Sequence, residues 1–210
     1  MFSGLSGVDI VVVFVSLVIS MTLHEAMHGF VAHWLGDTTA EEAGRLTLNP
    51  FRHIDTLTTL LLPLVLITLG LPPIFAAKPV PFNPYRVKYG EFGVALVGIA
   101  GPVTNFVLAF VASVIMKLID PTSDVFTWLG LFLEVNVAFF VFNMIPIPPL
   151  DGSRLLYAFA PDFLRDIMAR VETAGLGIIF VFVAVFALFP GAGNFLASLD
   201  TSVINFLLLH

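Results

Sequence analysis

Residues 8–35 read VDIVVVFVSLVISMTLHEAMHGFVAHWL and carry only two charged side chains, Asp9 and Glu25. At about 1.5 Å per residue, a helix of this length crosses the roughly 30 Å hydrocarbon layer of a bilayer. Gly36-Asp37 ends it. Met1 to Asp9 holds no Lys or Arg, and the apolar run Ile10–Leu23 continues into His24-Glu25 without a small-residue cleavage site. The segment therefore reads as part of a retained spanning helix and not as a cleaved signal.

The composition agrees. Of 210 residues, 58% are hydrophobic and only 11% charged, with a mean hydropathy of +1.00. Soluble domains carry about a quarter charged residues, so a water-soluble globule is excluded. High hydrophobicity also excludes disorder, and the absence of Cys excludes a disulfide scaffold. Nine Lys+Arg against fifteen Asp+Glu leave no basic patch for nucleic acid. What remains is an all-α polytopic membrane protein forming a single domain over 1–210.

Further apolar runs follow. Phe92 to Ile119 and Val125 to Ile145 are full spans, the second ending in Pro146, Pro148 and Pro149. Ala174 to Phe189 is another. Phe195 to Leu209 has apolar residues at helical spacing around Asp200, a pattern that fits a crossing or a surface helix. Leu150 to Arg170 reads as interfacial. Leu57 to Ala77 is apolar but interrupted by Pro63, Gly70, Pro72 and Pro73. Four to six membrane segments are expected.

Charge bias orients this map. With Arg45, Arg52, Lys78, Arg86, Lys88, Arg154, Arg165 and Arg170 inside, only Lys117 lies outside. Leu57–Ala77 must then enter and return, as its Pro and Gly interruptions suit. The Pro-rich Lys78–Lys88 stretch suits a short β-hairpin-like segment near the cytoplasmic side, able to pair with an extended peptide.

Within the first span, His24 and His28 stand one helical turn apart on one face, so both imidazoles can reach one metal ion. Glu25, about 100° round the helix from His24, can reach a water held there. HExxH recurs by chance in soluble proteins. In a span otherwise nearly free of charge, three ionisable groups need a reason. Zinc at a catalytic site takes a third protein ligand and keeps one position open. His33 lies about 140° off the face of His28 and cannot converge. Glu41 and Glu42 sit in a polar loop. Glu134, mid-span, is one candidate. Asp151, after the Pro-rich stretch at the cytoplasmic end of the third span and at the depth of His28, is the strongest candidate, although Asp151-Gly152 also reads as a simple surface turn.

His24-Glu25-Ala26-Met27-His28, Gly101-Pro102-Val103-Thr104-Asn105 and the stretch Asn143 to Gly152 (NMIPIPPLDG) resemble the three motifs of the site-2 protease family of intramembrane zinc metalloproteases. Gly44 to Pro50 and Lys78-Pro79-Val80 are similar to its short prokaryotic branch, without PDZ or CBS modules. The similarity runs from about residue 15 to 160.

The resemblance implies that His24, His28 and Asp151 bind one Zn²⁺ and that Glu25 is the general base. It implies that Asn143 hydrogen-bonds the substrate backbone or the developing oxyanion, and that Gly101-Pro102 and Asn105 support the site. It places the catalytic core at about 8–160 and further membrane segments at 171–210. The substrate is then a transmembrane protein, the partner a lipid bilayer, and the location a prokaryotic plasma membrane with the active site toward the cytoplasm. A metal or proton transporter also calls for intramembrane His and Glu, but no inverted repeat is evident. An inactive scaffold has no need of these residues. Asn136, seven residues before Asn143, shares its face, and reads as site support or a helix–helix hydrogen bond. His53 and His210 receive no role.

Overall fold

The computed structural model describes residues 6–55, 59, 61, 65, 68, 77–173, 177–178, 181, 184–185 and 188–209. Helix α1 spans Gly7–Trp34 and opens with a capping box: the Asp9 N–H donates to Ser6 Oγ, and the Ser6 N–H donates to Asp9 Oδ2. Ser6 and Asp9 thus answer two free N–H groups at the helix start, each accepting from the other. A short helix α2 covers Thr39–Glu42, and a 3₁₀ turn covers Pro50–Arg52. Helix α3 runs Gly90–Met116 and α4 runs Asp124–Asn143, the latter capped by Ser123. Two amphipathic helices follow, α5 at Gly152–Phe159 and α6 at Asp162–Thr173, then α7 at Pro190–Leu209.

Helices α1, α3, α4 and residues Gly191–Leu209 of α7 are each long and apolar enough to cross a membrane. The protein is a polytopic membrane protein, with its first three expected spans within a few residues of their sequence limits. Phe195–Leu209, open on sequence between crossing and surface, qualifies as a span by length and apolarity. The expected span Ala174–Phe189 and the expected re-entrant element Leu57–Ala77 fall largely outside the described residues. Among the described residues no strand forms. The expected hairpin-like segment is instead irregular over 77–83 and turns over 84–89, without a ladder partner among the described residues.

Helix α3 is the central post, packed against α1, α4, α5 and α7. Its small residues Ala109 and Ala112 are buried against Leu133, Val137 and Leu207, as close approach between spans requires. His24 meets Asn105 while His28 meets Val97, so α1 and α3 are antiparallel. The short 117–123 connection makes α4 antiparallel to α3 and therefore parallel to α1. The outer face of α1, with Val8, Val11, Phe14 and Val15 exposed, offers only hydrocarbon to lipid.

The loops at the C-terminal end of α1 are tied together by polar contacts. The Lys88 N–H donates to Leu35 O at 2.8 Å, the Lys78 N–H to His53 O at 2.9 Å, and Arg45 Nη2 to Lys78 O at 2.8 Å. Asp37 is wholly buried and accepts from the Thr39 and Asn83 main-chain N–H groups and from Thr39 Oγ1. Burial opposes its ionisation, yet the Thr39 and Asn83 donors and the Arg86 charge hold its carboxyl below the usual carboxylate range. His53 is also wholly buried, its Nε2 lying 2.8 Å from Thr47 O. It braces the loop that receives Lys78.

After α4 the chain folds back so tightly that a Cβ on Gly152 would stand 2.4 Å from Met144 O. Backbone cannot yield there as a flexible side chain can. Gly152→Ala is expected to lower stability by about 1–3 kcal/mol, read as a drop in thermal midpoint of the detergent-purified chain.

Candidate metal centre

Helical periodicity stacks His24 and His28 on the buried side of α1, with ring centroids 4.8 Å apart and planes nearly perpendicular at 82°. From the start of α5, Asp151 reaches them. Its Oδ2 lies 2.9 Å from His24 Nε2 and 3.4 Å from His28 Nε2. The three ligand-capable atoms are within 4.8 Å of one another, the one such group among the described residues. Ligand atoms around a tetrahedral zinc with bonds near 2.0–2.1 Å stand about 3.3 Å apart, so this spacing suits a shared cation.

The rings are oriented from behind. His24 Nδ1 lies 2.6 Å from Asn105 Oδ1, and His28 Nδ1 lies 2.7 Å from the Val97 carbonyl. Both partners are acceptors, so each Nδ1 carries a proton, and each Nε2, the nitrogen beside Asp151, is the one left to meet a metal ion. Asn105 is itself oriented: its Nδ2 donates to Asn136 Oδ1 at 2.9 Å, and Asn136 Nδ2 donates to Phe132 O at 2.8 Å. A backbone carbonyl, which can only accept, thus sets Asn136, then Asn105, then the His24 tautomer. Asn105 and Asn136 are both wholly buried.

Space for an ion comes from α3. Gly98, Gly101 and Asn105 share one face of that helix. A Cβ on Gly101 would lie 2.5 Å from His28 Nε2 and 2.6 Å from His24 Nε2. A Cβ on Gly98 would lie 2.5 Å from Arg154 Cβ and 3.1 Å from Asp151 O. The two glycines let α3 approach the imidazoles and the Asp151 loop together.

Sequence comparison bears on the same residues. The chain is 33% identical to a Bacillus subtilis protein named zinc metalloprotease YwhC, over 80% of this chain and 77% of that one. It is 32% identical to the zinc metalloprotease Rip2 of Mycolicibacterium smegmatis, over 83% of this chain and 67% of the relative. Rip2 of Mycobacterium tuberculosis is 30% identical over 86% and 68%. Neither a protein-family model nor a solved structure matches the chain. The chain belongs to the site-2 protease family of zinc metalloproteases.

A site-2 protease works with zinc, and these donors fit it: two imidazoles and a carboxylate beside a cradle that one methyl group would fill. The remaining sequence candidates separate clearly. Glu25 is half-buried on α1, its charge within reach of His28, and its Oε2 accepts from the Val80 N–H at 2.9 Å. Asn143 is half-buried at the end of α4, and its Nδ2 donates to Phe139 O at 3.0 Å, with no hydrogen bond to the His24–His28–Asp151 group among the described residues. Phe139 does pack beside His24, ring centroids 6.3 Å apart. Because α1 and α4 run parallel, Asn143, one turn beyond Phe139, stands at the depth of His28. Glu134 is exposed on α4, His33 lies 3.5 Å from Glu41, and Glu42 pairs with Arg86.

Asn136 proves to be both of its sequence readings, a helix–helix hydrogen bond and the support of a site. The Val97 carbonyl was not legible, since any helical residue has one. Two tests follow from the geometry. Gly101→Ala is expected to abolish stoichiometric zinc in the purified chain while helix content by circular dichroism is kept. Asn105→Leu is expected to weaken zinc affinity about 10- to 100-fold, measured by chelator competition.

Proposed function

We propose that this metalloprotease is an intramembrane endopeptidase, hydrolysing a peptide bond in or near a transmembrane segment of a membrane-protein substrate. In this reading His24, His28 and Asp151 hold one zinc ion, and Glu25 is the general base. The observation that carries it is the meeting of three metal-capable side chains inside an apolar helix bundle. His24 lies ten residues, about 15 Å, from the Trp34 end of α1. So deep a centre suits a bond that lies within the bilayer.

Bound zinc supplies Lewis acidity, making water acidic near neutral pH and polarising the scissile carbonyl. The chain supplies the rest. Glu25 takes the proton of the attacking water and returns it to the leaving amine. Asn143 keeps a second Nδ2 hydrogen beyond the one given to Phe139 O. That hydrogen serves the substrate backbone or the oxyanion as charge develops.

Charge bias supports placing the loops at the C-terminal end of α1 in the cytoplasm of a prokaryotic cell, with the centre opening toward them. The return of the chain at Lys78 to the His53 carbonyl supports an entering and returning element over 57–77, because a single crossing separates its ends by a bilayer. The catalytic core in this reading is about 8–160, with 171–210 adding membrane segments.

In detergent, with a model transmembrane peptide, Glu25→Gln is expected to keep about one zinc per chain. Cleavage should fall by about 10²- to 10⁴-fold. Undiminished cleavage by this variant, or zinc or proton flux across liposomes without peptide, would overturn the reading.

A further inference from the structure

The stretch Lys78-Pro79-Val80-Pro81-Phe82-Asn83-Pro84 holds three prolines, which have no N–H to give. Four main-chain donors remain, at Lys78, Val80, Phe82 and Asn83. Three of the four point into the protein: Lys78 to His53 O, Val80 to Glu25 Oε2, and Asn83 to Asp37 Oδ2. Each of these three donors precedes a proline, a position held away from the helical region and toward extended backbone. The local sequence therefore encodes both the extended path and which residues keep a hydrogen to donate.

Val80 is the centre of this strap. It is buried at 6% exposure and sits against α1 one turn beyond Glu25, where a Cβ on Gly29 would stand 3.1 Å from Val80 Cγ1. On one side Lys78 is held through both its N–H and its carbonyl, and on the other Asn83 is held by the wholly buried Asp37. With both flanks fixed, the Val80 N–H is aimed and not free to wander. It donates to one carboxylate oxygen of Glu25 at 2.9 Å, leaving Oε1 without a donor among the described residues.

From this geometry we infer that the Lys78–Asn83 strap positions the catalytic base: the Val80 main-chain N–H holds Oε2 of Glu25 so that Oε1 is turned to the substrate water. The inference rests on the reading of Glu25 as general base. A glutamate side chain has several rotamers, and a charge-assisted N–H bond selects among them before substrate arrives. Misplacing a reacting group by about 1 Å can cost about 10²-fold in rate, so this restraint acts on kcat. Val80 is a positioning residue that acts through its backbone.

Two measurements on the full-length, zinc-loaded chain in detergent test this. Val80→Pro removes the N–H, and Val80→Ala keeps it. Expected is a 10- to 100-fold fall in kcat for Val80→Pro, with KM and zinc per chain unchanged, and recovery of most of kcat in Val80→Ala. Second, hydrogen–deuterium exchange is followed on the 78–84 stretch, where the prolines leave few amides to resolve. The Val80 amide should exchange faster in Glu25→Ala than in the natural chain, while Glu25→Gln, which keeps an acceptor oxygen, stays protected. That arm leaves the strap sequence intact, so it stands even if Val80→Pro misfolds. Unchanged or raised kcat in folded Val80→Pro, or unaltered exchange in Glu25→Ala, would overturn the inference. Full cleavage by Glu25→Gln would instead remove the base reading, whatever Val80 does.

Discussion

A ring nitrogen can meet a cation only with its lone pair, and an imidazole in lipid has no water to settle which nitrogen that is. In this protein the decision is made 31 residues along the chain from Asn105, at the Asn136 amide that bonds it. The Phe132 carbonyl fixes Asn136, Asn136 fixes Asn105, and Asn105 fixes His24. His28 is fixed more simply, by the Val97 carbonyl. Each buried polar group in the chain of bonds has its partner, which is the condition for tolerating them in an apolar interior. Remove one amide and its neighbours lose orientation and gain an unsatisfied donor or acceptor together.

The same constraint explains the small residues of α3. Hydrogen bonds of 2.6 and 2.7 Å to two rings on α1 require the helices to lie close, and a side chain at 101 would fill the space beside both Nε2 atoms. Gly98 performs the matching service for Asp151 and Arg154. One helix face thereby brings a rigid pair of imidazoles and a loop-borne carboxylate to the same point. Pro102, wholly buried next to Gly101, lacks an N–H for the Gly98 carbonyl, so the intrahelical ladder is interrupted where the helix is most crowded.

Much of this was legible from residue order. Uninterrupted apolarity marked α1, α3 and α4 to within a few residues, because in lipid a helix is the one way for such a segment to pair its own backbone. Period-3.6 spacing put His24 and His28 together, and the same argument removed His33. Asp151 could not be chosen over Glu134 on spacing alone, since that choice depends on how the prolines at 146–149 bend the chain. Polar contacts made by main-chain atoms were hidden for a more basic reason. Every residue has a carbonyl, and nothing in the letters singles out Val97, Phe132 or His53 as the acceptors that matter. The hairpin expected at Lys78–Lys88 failed for a related cause. β-branched and proline residues do favour extended backbone, but the N–H groups a ladder needs are absent at the prolines and committed inward at Lys78, Val80, Asn83 and Lys88.

That last point joins the two halves of the molecule. A metal site deep in a bundle is rigid because lipid-buried polar groups are held from several sides. Glu25, proposed above as the base, lies off the face shared by the two histidines and has no partner on α3 or α4 among the described contacts. Its one described donor comes from the loops beyond the end of α1, where Asp37, Arg45 and His53 are buried and hold the flanks of the 78–83 stretch. Among the described residues, none of the three has a hydrogen bond or ion pair to the imidazoles or to Asp151. Two of the strap's three inward amides, those of Lys78 and Asn83, are held by the His53 carbonyl and by Asp37, and the third, that of Val80, reaches Glu25. The Val80 N–H thus meets Glu25 from the loops much as the Asn136–Asn105 pair meets His24 from within the bundle: each fixes a polar side chain of α1 through a partner on another part of the chain.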